Sequence, residues 1–266
     1  METPWERMAG NDAPSWYLHP LVARQKRDSH LRWVRRWRSS APDGLLLKTD
    51  LFEDAFGDDT LLPAVFEDSV CVVGFDFLPS VVRRARGRFP GAAFLPLAAD
   101  CRALPLASAS VATVLSPSTL DHFQSRVEFD DAIDEILRVL QPGGLLLITL
   151  DNPRNPLYWP LRVMSRVGWT PFPLGFTPGP SVLDRRLQAA GFEVLGREFL
   201  IHNPRLISTA LFVALEKLLG RRADPLVAFL LASFERLSRL PTRVLSASFI
   251  ATCARKREHG ETRTPT

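Results

Sequence analysis

The sequence contains very little cysteine and no pattern that would use it. Only Cys71, Cys101 and Cys253 occur among 266 residues, and they form neither a CxxC pair nor a Cys/His metal spacing. This excludes a disulfide framework and gives no basis for a metal site. The three thiols are expected to be reduced and mostly buried, as in a cytoplasmic protein.

A long apolar run is also missing. Uncharged apolar stretches such as "PLVAFLLASF" are shorter than the roughly 20 residues needed to cross a bilayer. The first residues, "METPWERMAGNDAP", carry acids and prolines in place of a basic segment followed by an apolar one. We therefore expect no transmembrane segment and no secretion signal.

The charge is not strongly one-sided. A formal charge of +4 does not imply nucleic acid as a partner, and 46% hydrophobic residues suit a globular domain with a sizeable core. Residues 14–40 place apolar and aromatic side chains among arginines at helical spacing. An N-terminal helical cap over residues 1–40, covering a sheet edge, is favoured over contact with nucleic acid or a membrane surface.

From residue 41 onward, short apolar runs alternate with segments of helical periodicity. The strand candidates are "GLLLKTD", "SVCVVGFD", "GAAFLPLAAD", "SVATVLSP" and "GGLLLITLD", and the helical segments are "DDTLLPAVFED", "LPSVVRRARGRF" and "EFDDAIDEILRVLQ". Strands that alternate with helices predict an α/β domain with a largely parallel sheet and helices on both faces. Asp130 and Asp131 are expected in the first turn of the third helix, and "QPGG" is expected to end it.

The second half of this domain, which we place at residues 41–254, is less regular. Residues 152–180 are proline-rich and predict neither helix nor strand, whereas "SVLDRRLQAAGF" predicts a helix and "EVLGREFLI" a strand. Residues 205–240 predict two apolar helices, and "VLSASFIATCA" a last strand before a disordered tail at 255–266. The two helices are core elements, a homodimer interface or a surface for peripheral membrane contact.

Acidic residues end two of the predicted strands, where open parallel sheets bind ligands. Asp76 ends the second strand and could accept hydrogen bonds from both hydroxyls of a ribose, or it could cap the next helix. Asp100 follows the third strand and could accept from an adenine amino group while the N–H of Cys101 donates to the ring. The alternative for Asp100 is a turn aspartate that stabilises its own loop.

The segments "VVGFDFLPSVVRRAR", "FLPLAADCRALPLASASVATVLSPSTLDHF" and "FDDAIDEILRVLQPGGLLLITLDNP" together resemble the class I S-adenosylmethionine-dependent methyltransferases of the small-molecule type. The resemblance covers about residues 45–155. It implies a Rossmann-like, seven-stranded sheet whose last strand runs antiparallel, with S-adenosylmethionine as cofactor. It also implies that Asp76 binds the ribose, that Asp100 contacts the adenine, and that Ser116 lines the methionine end, and the adjacent Phe77 is a further candidate cofactor-binding residue.

The first loop departs from the pattern of this family. A glycine-rich loop normally follows the first strand, but this sequence has "KTDLFEDAFG", with no glycine before Gly57. In one hypothesis Lys48, Thr49 and Asp50 rebuild the loop, and the Thr49 hydroxyl and Asp50 carboxylate bind the amino group of the methyl donor. In the other, cofactor binding is lost and the protein is a non-catalytic scaffold that binds a partner or a ligand.

The resemblance places "STLDHF" at the reactive end of the methyl donor, and this segment supplies a candidate base. His122 has a suitable pKa range to take a proton from the acceptor, and the alternative is a partly buried histidine held by Asp121 or a backbone carbonyl. A nicotinamide-dependent oxidoreductase ranks last, because the sequence has neither a GxGxxG loop nor a hydride-transfer pair.

The acceptor pocket is expected to be covered by variable, aromatic parts of the chain. Tyr17 and His19 in the N-terminal segment and Tyr158 and Trp159 in "NPLYWP" are candidate substrate-binding residues. Aromatic linings suit a small, largely apolar molecule. The alternative is that these residues only cover the sheet.

Overall fold

The computed structural model describes residues 6, 9, 19–67, 71–91, 93–170 and 173–258, apart from the side chains of residues 66, 67 and 206. In this part of the chain seven strands form a single sheet with the order β3-β2-β1-β4-β5-β7-β6. The strands are β1 (Leu46–Thr49), β2 (Val72–Asp76), β3 (Phe94–Ala98), β4 (Val111–Pro117), β5 (Leu140–Asp151), β6 (Phe192–Leu200) and β7 (Phe249–Lys256). Strands β1 to β5 are mutually parallel, and β7 runs antiparallel to both of its neighbours, β5 and β6. The predicted sheet with an antiparallel last strand is confirmed.

Helices lie on both faces of the sheet. They are α1 (Pro20–Arg38), α2 (Phe52–Phe56), α3 (Leu62–Glu67), α4 (Pro79–Arg88), α5 (Arg126–Val139), α6 (Tyr158–Arg166), α7 (Pro180–Ala190), α8 (Arg205–Leu219), α9 (Asp224–Glu235) and α10 (Arg243–Ser246). Every residue of β1, β2 and β4 is buried, as in a parallel sheet that is covered on both sides.

Two apolar cores fill the space between the sheet and its helices. Adjacent residues of a strand point to opposite faces, so Leu46 belongs to one core and Leu47 to the other. Helices α1 to α4 cover the first face, with Trp33 of α1 fully buried there, and α5 and α7 cover the second. On the first face Trp37 of α1 lies over Gly196 of the edge strand β6.

Helices α8 and α9 share a third, smaller core with the start of α1. Phe212 of α8, Val227 of α9 and Val22 of α1 meet there. One side of each apolar helix is therefore buried, while Ile207, Leu211 and other apolar residues on the opposite side are exposed. In the described part of the chain we find no helix that is both long and apolar enough to span a bilayer.

Both boundaries of helix α5 differ from those predicted by the sequence. Helix α5 begins earlier than expected, because Ser125 and Glu128 form a reciprocal capping box, which places Asp130 and Asp131 beyond the first turn. The "QPGG" segment does not separate α5 from the next strand but belongs to β5. There Gly143, at φ +74°, forms part of an irregularity opposite Val111 to Thr113.

The proline-rich segment is also more regular than predicted, because residues 158–166 form α6. Its proline, Pro160, lies in the first helical turn, where a missing N–H leaves no helical hydrogen bond unmade. At the other end of the domain, β7 begins at Phe249, after the short helix α10, and continues to Lys256. The predicted tail therefore begins inside the sheet, and residues 259–266 lie outside the described part.

Candidate functional site

A cavity of about 610 Å³ opens at the carboxyl ends of β1, β2 and β3 and reaches the loop after β4. Because β2 and β4 lie on opposite sides of β1, this is the point where the strand order reverses, the usual ligand site of such sheets. The cavity is lined by Asp50, Phe52, Phe75, Asp76, Phe77, Leu78, Ala99, Asp100, Cys101, Arg102, Thr119, His122, Phe123, Gln124, Glu128 and Pro173. Asp76 and Asp100 thus share one crevice.

Asp76 is held at the end of β2 by two backbone N–H groups. One carboxylate oxygen accepts from Leu78 N at 2.9 Å, and the other accepts from Leu51 N at 3.2 Å. The side chain is only 6% exposed. Burial raises the pKa of Asp76 to about 6, against the opposing effect of these two N–H groups and of Lys48. The carboxylate therefore links the first loop to the helix after β2.

The glycine-free loop turns at Asp50, which has the left-handed value φ +66°. Aspartate is one of the few residues other than glycine that tolerates this conformation. Two short bonds hold it: Phe52 N donates to Asp50 Oδ1 at 2.6 Å, and Lys48 Nζ donates to the Asp50 carbonyl at 2.6 Å. Burial and the negative charges of Glu53 and Asp76 hold the pKa of Asp50 well above its usual range.

A buried ion pair lies beneath the loop. Lys48 is 1% exposed, and its ammonium lies 2.6 Å from Asp54 Oδ2. The other oxygen of Asp54 accepts from the Thr60 hydroxyl at 2.5 Å. Burial alone would lower the pKa of Lys48, but the neighbouring carboxylates, Asp54 first among them, raise it. A charged Lys48 can therefore hold the Asp50 carbonyl from inside the protein.

The loop after β1 contains no glycine, but a glycine in the neighbouring strand β2 lets this loop pack closely against the sheet. A Cβ atom added to Gly74 of β2 would lie 2.7 Å from the Leu51 side chain and 2.8 Å from Phe94. Leu51, at the loop, therefore packs directly on the β2 backbone, where only glycine leaves room. This contact brings Leu51 N within reach of Asp76.

Asp100 at the end of β3 is paired with Arg102. The guanidinium donates to both carboxylate oxygens, with Nη2 2.6 Å from Oδ2 and Nε 3.0 Å from Oδ1. The same guanidinium donates to Glu128 Oε1 at 2.8 Å. These bonds to Arg102 hold the pKa of the half-buried Asp100 below its usual value. Two carboxylates and one arginine thus form a polar wall of the cavity.

His122 also lines the cavity, from the short 3₁₀ helix after β4. Its Nδ1 lies 3.0 Å from the carbonyl of Pro173, which can only accept, so Nδ1 carries the proton of the neutral ring. Nε2 is then the basic nitrogen. The backbones of the two segments pair closely as well, because Phe176 N donates to the Phe123 carbonyl at 2.6 Å and Gly175 N to the Asp121 carbonyl at 2.9 Å.

Two of the predicted cofactor residues lie behind the cavity wall. Thr49 and Ser116 are fully buried in β1 and β4, and their hydroxyls are bonded to each other at 2.9 Å. The Thr49 hydroxyl is also 2.7 Å from that of Thr119, which does line the cavity. Thr119 was not predicted from the sequence. The sequence does not show which residues near a strand end line the cavity and which are buried behind it, because this depends on tertiary contacts.

Three of the four residues predicted to bind the substrate, His19, Tyr158 and Trp159, are described by the structure, and they do not line this cavity. His19 is buried, accepts from Leu21 N at the start of α1 and packs edge-on against Phe212 of α8. Tyr158 is buried at the start of α6, and Trp159 is 60% exposed. Tyr17 lies outside the described residues. The remaining predicted site residues, Asp50, Asp76, Phe77, Asp100, Cys101 and His122, all line the cavity.

Arg102 and Pro173 were also missed by the sequence analysis. Arg102 follows Asp100 by two residues, a spacing that suits a local ion pair and could have indicated the contact. Pro173 reaches His122 across 51 residues, and no local pattern predicts such a contact. In the described part of the chain no three His, Cys, Asp or Glu side chains converge as they would around a metal ion.

The sheet order, the antiparallel last strand and a cavity at the reversal point define the Rossmann-like methyltransferase fold. Residues 56–148 match the family model described as a methyltransferase domain. A protein of Mycolicibacterium smegmatis named "Probable S-adenosylmethionine-dependent methyltransferase" is 27% identical over 119 residues. The match covers 41% of this chain and 44% of that protein, so the chain spans less than half the length of this curated relative.

Solved structures share the fold at lower sequence identity. The cyclase SpnF is 22% identical with a TM-score of 0.54, and the match covers 85% of this chain and 80% of SpnF. Phosphoethanolamine N-methyltransferase 2 of Haemonchus contortus, solved with S-adenosylmethionine, is 16% identical with a TM-score of 0.59, over 87% of this chain and 53% of that one. By its sequence over residues 56–148 and by its fold, the chain is therefore similar to S-adenosylmethionine-dependent methyltransferases.

Proposed function

We propose that this protein binds S-adenosylmethionine in the 610 Å³ cavity and catalyses transfer of its methyl group to a small, largely apolar molecule. The observation that carries the proposal is the placement of Asp50, Asp76 and Asp100 around one cavity at the reversal point of a methyltransferase sheet. The volume falls within the range of small-molecule sites.

The lining suits the chemistry of the cofactor. S-adenosylmethionine carries two ribose hydroxyls, an adenine ring, an amino group and a positive sulfonium, which supplies an electrophilic methyl group. Asp76 can accept from the ribose hydroxyls, since each carboxylate oxygen is engaged by only one backbone N–H in the described structure. Phe77, 53% exposed, and Leu78 offer apolar surface for the adenine, next to Asp100 and the backbone of Cys101.

The first loop would hold the amino end of the cofactor. Asp50 projects its carboxylate from a left-handed turn at the cavity, and Lys48 fixes this turn through the Asp50 carbonyl. Thr119 lines the same cavity, and Thr49 and Ser116 support it from behind. In this proposal Thr49 and Ser116 position Thr119 and do not contact the cofactor themselves.

His122 would act as the general base. Pro173 holds the proton on Nδ1, so Nε2 can take the proton that an acceptor hydroxyl, amine or acidic carbon loses as its bond to the methyl group forms. The other requirement of methyl transfer is the alignment of donor and acceptor, and the rigid contact between residues 121–123 and 173–176 contributes to it.

The apolar walls favour an apolar acceptor. Phe52, Phe123 and Pro173 line the cavity together with His122. We also propose that the exposed apolar residues of α8 and α9, within 205–240, form a homodimer surface.

Calorimetric titration with S-adenosylmethionine tests the function. We expect saturable binding that weakens at least about tenfold in Asp76→Ala, because the variant loses the charged acceptor for the ribose. Asp43→Ala, an exposed aspartate before β1, is the matched control and should bind normally. Native protein that releases no heat and shows no thermal shift would instead support the non-catalytic scaffold.

A further inference from the structure

Helix α6 presents its apolar side chains to solvent. Trp159 is 60% exposed, Val163 59% and Val167, at the end of the helix, 56%; Trp169 in the following turn is 76% exposed. Positions 159, 163 and 167 are spaced by four residues, so they form one stripe along the helix. Tyr158, on another side of α6, is buried against the protein. We call these four exposed residues the α6 stripe.

The stripe lies in a segment without a single acidic residue. The sequence from Asn152 to Leu183 contains no Asp or Glu, but it contains three arginines, Arg154, Arg162 and Arg166. Arg154 and Arg166 are exposed near the two ends of α6, whereas Arg162 donates to the Tyr158 hydroxyl at 3.0 Å. Exposed tryptophans flanked by arginines, on a short helix, form the pattern of a helix that lies in the interface of an anionic membrane.

The charge decides which occupant the stripe suits. A second copy of this chain would bring the same arginines and the same net charge of +4 to a symmetric contact, so like charges would oppose each other there. A surface of anionic lipids supplies both an apolar layer for the tryptophans and phosphates for the arginines.

The stripe is also connected to the cavity. In the turn after α6, Trp169 N donates to the Met164 carbonyl at 2.9 Å, and Leu174 N donates to the Ser165 hydroxyl at 2.8 Å. Pro173, next to Leu174, lines the cavity and accepts from His122. The segment that carries the stripe therefore continues directly into a wall of the cavity.

We propose that the α6 stripe docks this protein on a membrane surface that contains anionic lipids. The mouth of the cavity then lies close to the bilayer. In a further step that rests on the proposed function, the acceptor is an amphiphile that enters from the membrane.

Vesicle flotation tests the docking without S-adenosylmethionine, so its failure is distinct from a failure of methyl transfer. We expect the full chain to float with phosphatidylcholine vesicles that contain about one third phosphatidylglycerol, and much less with pure phosphatidylcholine. High salt should weaken the binding, because it screens the arginines. Trp159→Ser/Trp169→Ser should reduce the bound fraction at least about tenfold, since two large apolar side chains are lost.

The matched control changes exposed apolar residues on α8. Ile207→Ser/Leu211→Ser replaces side chains that are 60% and 43% exposed, and it should float like the native chain. Equal thermal unfolding of all three proteins shows that the variants fold. Arg154→Gln/Arg166→Gln should lower binding to the anionic vesicles, with little change on pure phosphatidylcholine.

Four results would overturn the proposal. They are native protein that stays with neither kind of vesicle, normal flotation of the double tryptophan variant, and a loss of binding confined to the α8 variant. The fourth is self-association in sedimentation velocity that the tryptophan variant abolishes, because the stripe would then be covered by a second copy of the chain.

Discussion

The Asp76 carboxylate is buried and also lines the cavity, so its protonation state affects both the stability of the fold and ligand binding. Its pKa is raised to about 6 in the folded protein, above the value of about 4 expected for an unfolded chain. The folded state therefore binds the proton more tightly, and the contribution of Asp76 to stability is greatest below pH 4 and is lost as the pH rises through about 6. The ionised carboxylate is the form that accepts hydrogen bonds from a ribose. The affinity for the cofactor should therefore increase as the pH rises through about 6.

The pH dependence of cofactor binding follows from this shift. We expect the affinity for S-adenosylmethionine to be about tenfold weaker at pH 5 than at pH 7, and to level off above pH 7. Calorimetry across this range measures it. Asp76→Asn removes the titrating group and should flatten this part of the profile, so an equally steep profile in the variant would assign the effect to another residue.

The left-handed turn at Asp50 predicts which substitutions the first loop tolerates. Asp50→Ala should lower the free energy of unfolding by about 1–2 kcal/mol, because alanine disfavours φ +66° and cannot accept from Phe52 N. Asp50→Asn keeps both properties and should unfold within about 0.5 kcal/mol of the native protein.

Urea unfolding compares the two variants, and calorimetry separates stability from binding. If the Asp50 carboxylate binds the amino group of the cofactor, the Asp50→Asn variant should bind the cofactor more weakly than the native protein, although its stability is normal. Equal unfolding free energies for Ala and Asn would show that backbone conformation does not restrict this position.

At the level of elements, the contact between the loop after β4 and the loop before α7 sets the position of His122. A Cβ atom added to Gly175 would lie 2.0 Å from the Phe123 carbonyl oxygen, which is backbone and cannot rotate away. Gly175→Ala should therefore displace the segment with Pro173 and lower kcat at least about tenfold, with cofactor affinity within about twofold.

Gly179→Ala is the control for this substitution. Its added Cβ would have its nearest neighbour at 3.9 Å, in Pro153, so turnover should be unchanged. Steady-state kinetics and a thermal unfolding curve for both variants make the comparison. Native kcat in a folded Gly175→Ala protein would show that this contact does not position the base.

Elements with strong local signals were predictable from the sequence. Apolar runs bounded by glycine or acids predicted β1 to β5, and "SVLDRRLQAAGF" predicted α7, which ends at Gly191 with φ +115°. Helix α6 was missed because its prolines suggested an irregular segment, although Pro160 falls in the first turn, where proline is tolerated.

The site was predictable only in part. Asp50, Asp76, Asp100 and His122 could be named because strand-end positions follow from the fold. The burial of Thr49 behind Thr119, the ion pair of Lys48 beneath the loop and the packing of Leu51 on Gly74 depend on pairings between separate strands and helices. Sequence spacing does not encode such pairings, since they arise only when the sheet is assembled.

At the scale of the whole molecule, cofactor binding should stabilise the fold. The cavity joins the loops after β1, β2, β3 and β4, so its ligand binds only the assembled sheet. S-adenosylmethionine at about 100 times its Kd should add about 2.7 kcal/mol to the free energy of unfolding and raise Tm by roughly 5–11 °C.

Differential scanning calorimetry measures this shift. Asp43→Ala should show the full increase and Asp76→Ala a reduced one at the same cofactor concentration. An increase of equal size in both variants would mean that the cofactor stabilises the protein from a different site.

The position of β7 in the sheet has a consequence for biosynthesis. Among the described strands β6 pairs only with β7, and β7 also forms the partner of β5. While the ribosome is still making residues 249–256, the nascent chain therefore exposes the edge of β5 and leaves β6 without its hydrogen-bonding neighbour. The sheet can close only after this late strand has emerged and inserted between two strands that were translated before it.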